Sequence, residues 1–463
     1  MKKVYYNFLL LLVISLPIYA VKPLEQSALD TAAELRDKAL KSDLAYQILE
    51  SLTTEVGPRL AGSEGDVRAV AWAENKFTEL KFDRVWKEPV TVTPWQRGVA
   101  AAEILKPFPQ PLVISALGNS VGTPEEGIRA EIVHFATFAD LQAAEAAEVK
   151  GKIVFISHKM AKTRDGSSYG RAVQARSQGA AVAGEKGAKA ILIRSIGTDD
   201  DRLAHTGLMN YRENVNRIPA AALSSPDADL LLRQLQRGAV EVGLTMEASV
   251  AEPFTTYNVI GEIRGSERPD EVIIIGGHLD SWDLGTGAVD DGAGVAITMA
   301  AAKLIAEQQR PKRTIRVVLW AAEEVGLIGA KAYAEKYKAE MRQHITGAES
   351  DFGAGPIWSF DWRSAHDETP FIDQLAQLLA PLGIKKGHDK ANGGPDLYPL
   401  RGLGMSTFAL RQDGTDYFDL HHTANDTLDK VNPQHLQQNV AAYVVFAFAV
   451  ANADGNFGFN LTY

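Results

Sequence analysis

The chain has 463 residues, 46% of them hydrophobic and 23% charged, the balance of an ordinary globular protein with room for two domains. A formal net charge of -10 and a pI near 5.6 exclude a nucleic-acid partner, because no basic field is available to neutralise phosphates. With no cysteine, a disulfide framework, a cysteine nucleophile, a lipid-anchored thiol and a thiolate metal site are all excluded.

The chain opens on Met1-Lys2-Lys3, continues through an apolar run from Phe8 to Leu16 and reaches Pro17-Ile18-Tyr19-Ala20. A charged start, a short apolar stretch and a small residue at the cut predict a signal peptide over 1–20. The expected product is exported, periplasmic or secreted, with no membrane attachment after cleavage; the run is short for a bilayer span. Leu29 to Lys41, Asp43 to Thr53 and Asp66 to Leu80 carry apolar residues at helical spacing, and the turn-rich Gly57-Pro58-Arg59-Leu60-Ala61-Gly62 separates the last two. From about Val90 the pattern shifts toward strands and turns.

Between 98 and 250, Val149 to Ile156 and Gly187 to Ile193 read as strands joined by a small-residue helix from Arg171 to Lys186, a βαβ unit. Leu141 to Glu148 reads as an alanine-rich helix. His134, His158 and His205 stand alone in this block and read as structural or surface histidines. It is therefore expected to be an inserted accessory domain, dividing a catalytic domain into 21–97 and 251–463.

In the second part, Glu271 to Ile275 and Thr314 to Trp320 are β-branched apolar runs suited to a buried parallel sheet. Val295, Met299, Ala302 and Ile305 mark one face of a helix between them, so the fold class is α/β with an at least partly parallel sheet. Met405 to Leu410 is a further strand and Gln434 to Ala451 a C-terminal helix.

Five segments here end apolar runs with metal-binding side chains: Gly276-Gly277-His278-Leu279-Asp280, Val289-Asp290-Asp291-Gly292, Ala322-Glu323-Glu324, Glu349-Ser350-Asp351 and His421-His422-Thr423. Residues just past the carboxyl ends of parallel strands converge on one crevice, so these ligands are expected to form a single site. Asp280, two residues beyond His278, is placed to hold the imidazole N–H. Two acids amid glycines at 285–294 point to close approach of the backbone to an ion rather than to a helix cap alone. If the chain is extended at Glu323 and Glu324, one carboxylate binds metal and the other faces substrate as a base. Glu349 competes with Asp351 as a ligand, and only one of His421 and His422 is expected to coordinate, since neighbours on an extended backbone diverge.

These segments, with Trp282-Asp283, Arg310 to Trp320, Asp426-Thr427, His205-Thr206-Gly207 and Ile218-Pro219, resemble the M28 family of co-catalytic zinc exopeptidases over most of the chain. The resemblance implies a zinc-exopeptidase mixed sheet with helices on both faces and an inserted protease-associated domain. It implies two Zn²⁺ ions, with Asp290 as the bridge, His278 and Asp351 on one ion, and Glu324 and His422 on the other. The motif's histidine stands directly before Thr or Ser, which selects His422. By the same likeness Glu323 is the general base, Asp280 orients a ligand, and the bond after Asp290 is a cis peptide. Gly393-Gly394-Pro395-Asp396 departs from the family pattern where substrate contacts are expected.

The expected activity is removal of residues from dipeptides or short peptides with free termini, as an aminopeptidase or dipeptidase, by a water activated between two zinc ions. A carboxypeptidase acting at the other end, a one-zinc acyltransferase or cyclase, and a non-catalytic peptide-binding protein are the alternatives. Arg411, Asp413, Asp416 and Tyr417 lie near His422 in sequence and are candidates for clamping a terminus. A peptide substrate is the expected partner, and a homodimer is implied only by the resemblance.

Overall fold

The structure is a computed structural model that describes residues 20–366 and 369–459; the segment expected as a signal peptide lies outside the described residues except for Ala20. An eight-stranded sheet runs in the order Arg84–Val92, Phe254–Ile263, Arg313–Trp320, Arg268–His278, His344–Glu349, Thr407–Gln412, Ile357–Arg363, Lys385–Lys386. The four strands from Arg313–Trp320 to Thr407–Gln412 are mutually parallel, and antiparallel pairs flank them. The sheet is therefore mixed.

Alternation along the central strands explains why helices cover both faces. Ile273, Ile275, Ile315, Val317 and Leu319 pack with the helices Ala293–Gln308 and Pro433–Asn452. Ile274, Val318 and Trp320 turn the other way, onto Ala330, Tyr333, Leu397 and Leu400. Strands buried on both sides have no polar alternation to display, which is why they read as continuous apolar runs. The helices Gln26–Ala39, Leu44–Ser51 and Glu64–Glu79 and the strand Thr407–Gln412 arise where expected. The alanine-rich stretch from Leu141 to Glu148 does not form one helix. Short helices Phe138–Ala143 and Ala146–Val149 are separated by Ala144, whose backbone is extended; each has a capping box that stops it from merging with its neighbour.

A second eight-stranded sheet draws all its strands from 100–246, with the parallel run Ile128–Phe135, Ile153–Ile156, Ala190–Arg194, Ala220–Leu223 at its centre. Chain entry and exit are joined by a two-stranded ribbon, Trp95–Gln96 with Ser249–Val250. Arg97, just after this ribbon, donates to Asp283 in the main body at 2.9 Å and to Ser115 and Thr206 in the second sheet's region at 2.8 and 3.0 Å.

A buried chain of hydrogen bonds supports the start of a central strand. The Arg316 guanidinium donates to the Tyr333 hydroxyl, which donates to His344 Nε2 at 2.9 Å, and His344 Nδ1 donates to the Glu340 carbonyl at 3.2 Å. The series requires a neutral imidazole, and burial together with the Arg316 charge depresses His344 to about 4. Because the unfolded value is near 6.5, the unfolded chain binds the extra proton first. Stability is thus complete above about pH 6.5 and declines as pH falls toward 4, by up to about 3 kcal/mol. The stability difference between wild type and His344→Gln, followed by urea denaturation, should shrink by that amount across this interval; a difference independent of pH would refute the neutral-imidazole assignment.

Candidate metal centre

The carboxyl ends of the parallel strands bring the ligand segments together. His278 ends Arg268–His278, Glu323 and Glu324 follow Arg313–Trp320, and Asp351 follows His344–Glu349. His278 Nε2 lies 3.0 Å from Asp290 Oδ1 and 3.7 Å from Asp351 Oδ1, while His422 Nε2 lies 3.3 Å from Asp290 Oδ2 and 3.0 Å from Glu324 Oε2. The two oxygens of Asp290 thus meet two different histidines, each of which meets one further carboxylate. All five are buried or nearly so, and Asp290, Glu324, Asp351 and His422 border a cavity of about 750 Å³ that Glu323 also lines, within the range of about 300–1,000 Å³ for small-molecule sites.

The loop carrying Asp290 is fixed from three sides. Asp426 accepts from the N–H groups of Val289 and Asp290 at 2.6 and 3.2 Å. Asp291 turns away from the cluster to accept from the N–H groups of His278 at 3.0 Å and Gly294 at 3.1 Å, and the Asp290–Asp291 bond is cis. The fully buried Arg59 donates to the carbonyls of Leu279, Thr286 and Gly287 at 2.5 to 2.8 Å. Gly277 and Gly294 are required by this closeness, since a Cβ on either would stand 2.3 to 2.5 Å from the Asp291 carboxylate.

Several local expectations change. The acceptor for His278 Nδ1 is the main-chain carbonyl of Asp280, at 2.8 Å, with the Asp280 carboxylate 3.7 Å away. That carboxylate instead accepts from the N–H groups of Glu323 and Glu324, at 3.0 and 3.3 Å. It can do so because the segment is a turn rather than extended: Ala322 has φ +56°, which curls the next two N–H groups back toward Asp280. His422 likewise has φ +62°, so the two imidazoles stack with centroids 3.4 Å apart rather than diverging. His421 Nε2 comes within 3.8 Å of Asp290 Oδ2, and His421, His422 and Asp290 form one group able to hold an ion; His278, Asp290 and Asp351 form another. His422 is the nearer of the two histidines and alone also meets Glu324. Glu349 accepts from Asp396 N–H at 2.8 Å and stands outside both groups.

Residues without a chemical motif complete the surroundings. Trp282 donates its indole N–H to Glu324 Oε2 at 2.6 Å. From the inserted sheet's loops, the Thr206 N–H donates to the His422 carbonyl at 3.1 Å, and the Thr206 carbonyl accepts from His422 Nδ1 at 3.2 Å. His205, isolated in sequence, is buried and donates Nδ1–H to the His421 carbonyl at 2.7 Å, with Asp199 2.5 Å from its other nitrogen. The contacts of Thr206 with His422 and of His205 with His421 join stretches 216 residues apart, so local pattern carries no signal of them.

The cluster has the chemistry of a cation site. Asp290 Oδ2 and Glu324 Oε1 are buried and have no hydrogen-bond partner among the described residues, and buried unpaired charge is strongly disfavoured unless a counterion is present. Burial opposes the charged form of Asp290, but the His278 and His422 imidazoles outweigh it and hold its carboxyl well below the usual range. Burial would depress both imidazoles, yet the facing carboxylates raise His278 well above the ordinary value and His422 to about 9. Burial pushes Asp351 up to about 7 and Glu323 well above the usual glutamate range. Such a set holds protons where a cation is absent and releases them to one that binds. Imidazole nitrogens with carboxylate oxygens are zinc ligands.

The Thr206 carbonyl occupies His422 Nδ1 and leaves Nε2 to face the cluster, and that carbonyl is itself held by Arg176 Nη1 at 3.3 Å. A Cβ at Gly207 (φ +135°) would stand 2.3 Å from Arg176 Nη1. Gly207→Ala should therefore displace the guanidinium and weaken zinc binding by about 10- to 100-fold, the usual effect of disturbing a ligand's hydrogen-bond partner. Competition against a chromogenic chelator measures this; unchanged affinity would mean that this loop does not orient His422.

Comparison with known proteins places this geometry in a family. The profile of peptidase family M28 matches residues 258–447, the stretch holding all five clustered side chains. Carboxypeptidase Q of Xenopus laevis is 35% identical over 430 residues, covering 92% of this chain and 90% of that protein. The crystal structure of a peptidase M28 precursor from Shewanella amazonensis superposes with a TM-score of 0.92 at 55% identity, covering 93% of this chain and 98% of that one. A zinc aminopeptidase from Bacillus subtilis shares the fold, with a TM-score of 0.63 at 19% identity over 90% of this chain and 97% of that one. The chain belongs to peptidase family M28 and is a metallopeptidase, similar along most of its length to carboxypeptidase Q.

Proposed function

We propose that the chain is a two-zinc exopeptidase that hydrolyses dipeptides or short peptides with free termini. The observation that carries this reading is the division of Asp290, with Oδ1 on His278, which also meets Asp351, and Oδ2 on His422, which also meets Glu324. A carboxylate so placed suits a bridge between two cations, His278 and Asp351 holding one, His422 and Glu324 the other. When bound, a zinc pair lowers the pKa of a water and polarises a carbonyl oxygen. A one-zinc acyltransferase or cyclase leaves one of these ligand pairs without a purpose.

The chain's own residues then divide the work. Asp280 grips the N–H groups of Glu323 and Glu324, fixing the turn so that both carboxylates line the cavity while only Glu324 meets His422. Glu323 is left to take a proton from the attacking water and return it to the leaving nitrogen, the role of a positioned acid–base group. A purely peptide-binding protein has no use for such a group beside its metal ligands.

The relatives' names divide between carboxypeptidase and aminopeptidase, and we favour trimming at the amino end, with carboxyl-end trimming the alternative. The same reading makes the second sheet a protease-associated domain, the first twenty residues a signal for export, and a homodimer the working assembly. No described helix is long and apolar enough to cross a membrane.

Glu323→Gln should retain two zinc equivalents by elemental analysis while turnover of a dipeptide falls about 10²- to 10⁴-fold; undiminished turnover would remove Glu323 from the chemistry. Asp290→Ala should lose metal and activity together, and a fully loaded, active variant would rule out the bridge.

A further inference from the structure

The cavity bordered by the clustered carboxylates is also lined by guanidinium groups, Arg176 and Arg411. Arg411, near the end of the Thr407–Gln412 strand, lines the cavity and is 30% exposed. Its single hydrogen bond among the described residues runs from Nη1 to Asp361 Oδ2 at 3.3 Å, which leaves most of its five donors uncommitted. Arg176, which also lines the cavity, differs in this respect: it donates to the Thr206 carbonyl at 3.3 Å and to the Tyr169 hydroxyl at 2.6 Å.

The surroundings hold Arg411 in place. Asp361 is buried, and its other oxygen accepts from the His388 N–H at 3.0 Å. The His388 ring lies 3.4 Å from Asp361 as well. The Arg411 guanidinium lies over the Trp358 ring, 5.2 Å from its centroid, and Arg164 stacks on the same ring at 4.6 Å. Asp165 borders the cavity nearby, with Oδ1 accepting from the Ser167 N–H at 3.1 Å. Of the other residues named as clamp candidates, Asp413 pairs with Arg164 at 2.8 Å and Asp416 with Lys162 at 2.9 Å, and neither lines the cavity. Tyr417 lines it but is buried among aromatic rings.

A planar fork tied at one side to a buried carboxylate and supported on its face by an indole is preorganised for a second carboxylate. We propose that Arg411, positioned by Asp361 and Trp358, is a carboxylate-binding subsite of the cavity. The carboxylate is either the free C-terminus of a short peptide or an acidic side chain beside the scissile bond. The inference rests on the peptidase reading above and adds the residue that selects among peptides.

Three dipeptides with the same first residue test it: a neutral free acid, its neutral amide, and an amide with an acidic side chain. For Arg411→Gln, the KM of a carboxylate-bearing peptide relative to the neutral amide should rise on the order of 10- to 100-fold, the range for loss of a hydrogen bond to a charged group. A rise confined to the free acid identifies the C-terminus, and one confined to the acidic amide identifies a side chain. Arg411→Lys, which keeps the charge but not the fork, should give an intermediate ratio and serves if Arg411→Gln does not fold. Calorimetric binding of the uncleaved free acid to Glu323→Gln, with and without Arg411→Gln, should show the same loss. Equal changes for all three peptides, or none, would overturn the subsite and leave the peptidase reading intact. Should the wild-type protein cleave none of the three, the peptidase reading fails and the subsite with it.

Discussion

A single carboxylate, Asp290, is buried with its two oxygens turned toward different partners, and much of the local architecture exists to hold it there. In a low-dielectric interior such a group is stable only if its hydrogen bonds and countercharge are both supplied. The backbone on either side is fixed by Asp426 and Asp291, themselves buried acids acting as acceptors of N–H groups. Arg59 then brings the one fully buried guanidinium of this region, and it binds three main-chain carbonyls rather than the nearby carboxylates. The acids around Asp290 thus receive no guanidinium from Arg59 and face only the His278 and His422 imidazoles, which can give up their protons to a metal ion.

The second sheet is coupled to that cluster rather than merely attached beside it. A loop of this stretch supplies Thr206 and His205, which bind the backbone of His421 and His422 from behind, and the helix Tyr169–Glu185 supplies Arg176, which steadies Thr206. Tyr169, Arg176 and Leu208 border the same cavity as Glu323. A displacement of this domain would therefore reach His422 through two hydrogen bonds, so the inserted stretch and the catalytic stretch share one functional unit despite having separate sheets.

Sequence reading works here where chemistry and periodicity are local. The central strands declare themselves because both faces are apolar, and His278, Glu323–Glu324 and Asp351 stand out because they lie at or just beyond such strands, whereas Asp290 lies at a helix entry and His422 follows the short helix Tyr417–Leu420. It fails where conformation departs from the extended default. With φ positive at Ala322, Asp280 serves the Glu323–Glu324 turn instead of the His278 ring, and with φ positive at His422 the two imidazoles stack. A non-glycine residue in that region gives no local warning. The contacts of Arg59 and Arg176 were equally hidden, for another reason. Their partners are remote in the chain, and an arginine in a turn-rich segment looks solvated until the fold buries it.

The turn at 321–324 shows how the site separates two glutamates that are adjacent in sequence. Both N–H groups are drawn to the same Asp280 carboxylate, so the backbone has little freedom to exchange their positions. Trp282 and His422 then take hold of Glu324 alone. A carboxylate committed to an indole and an imidazole is poorly placed to carry protons, whereas Glu323, bordering the cavity without a side-chain hydrogen bond among the described residues, is free to do so. The difference between the two glutamates follows from which neighbours reach each side chain, and it depends on the Asp280 grip on their N–H groups.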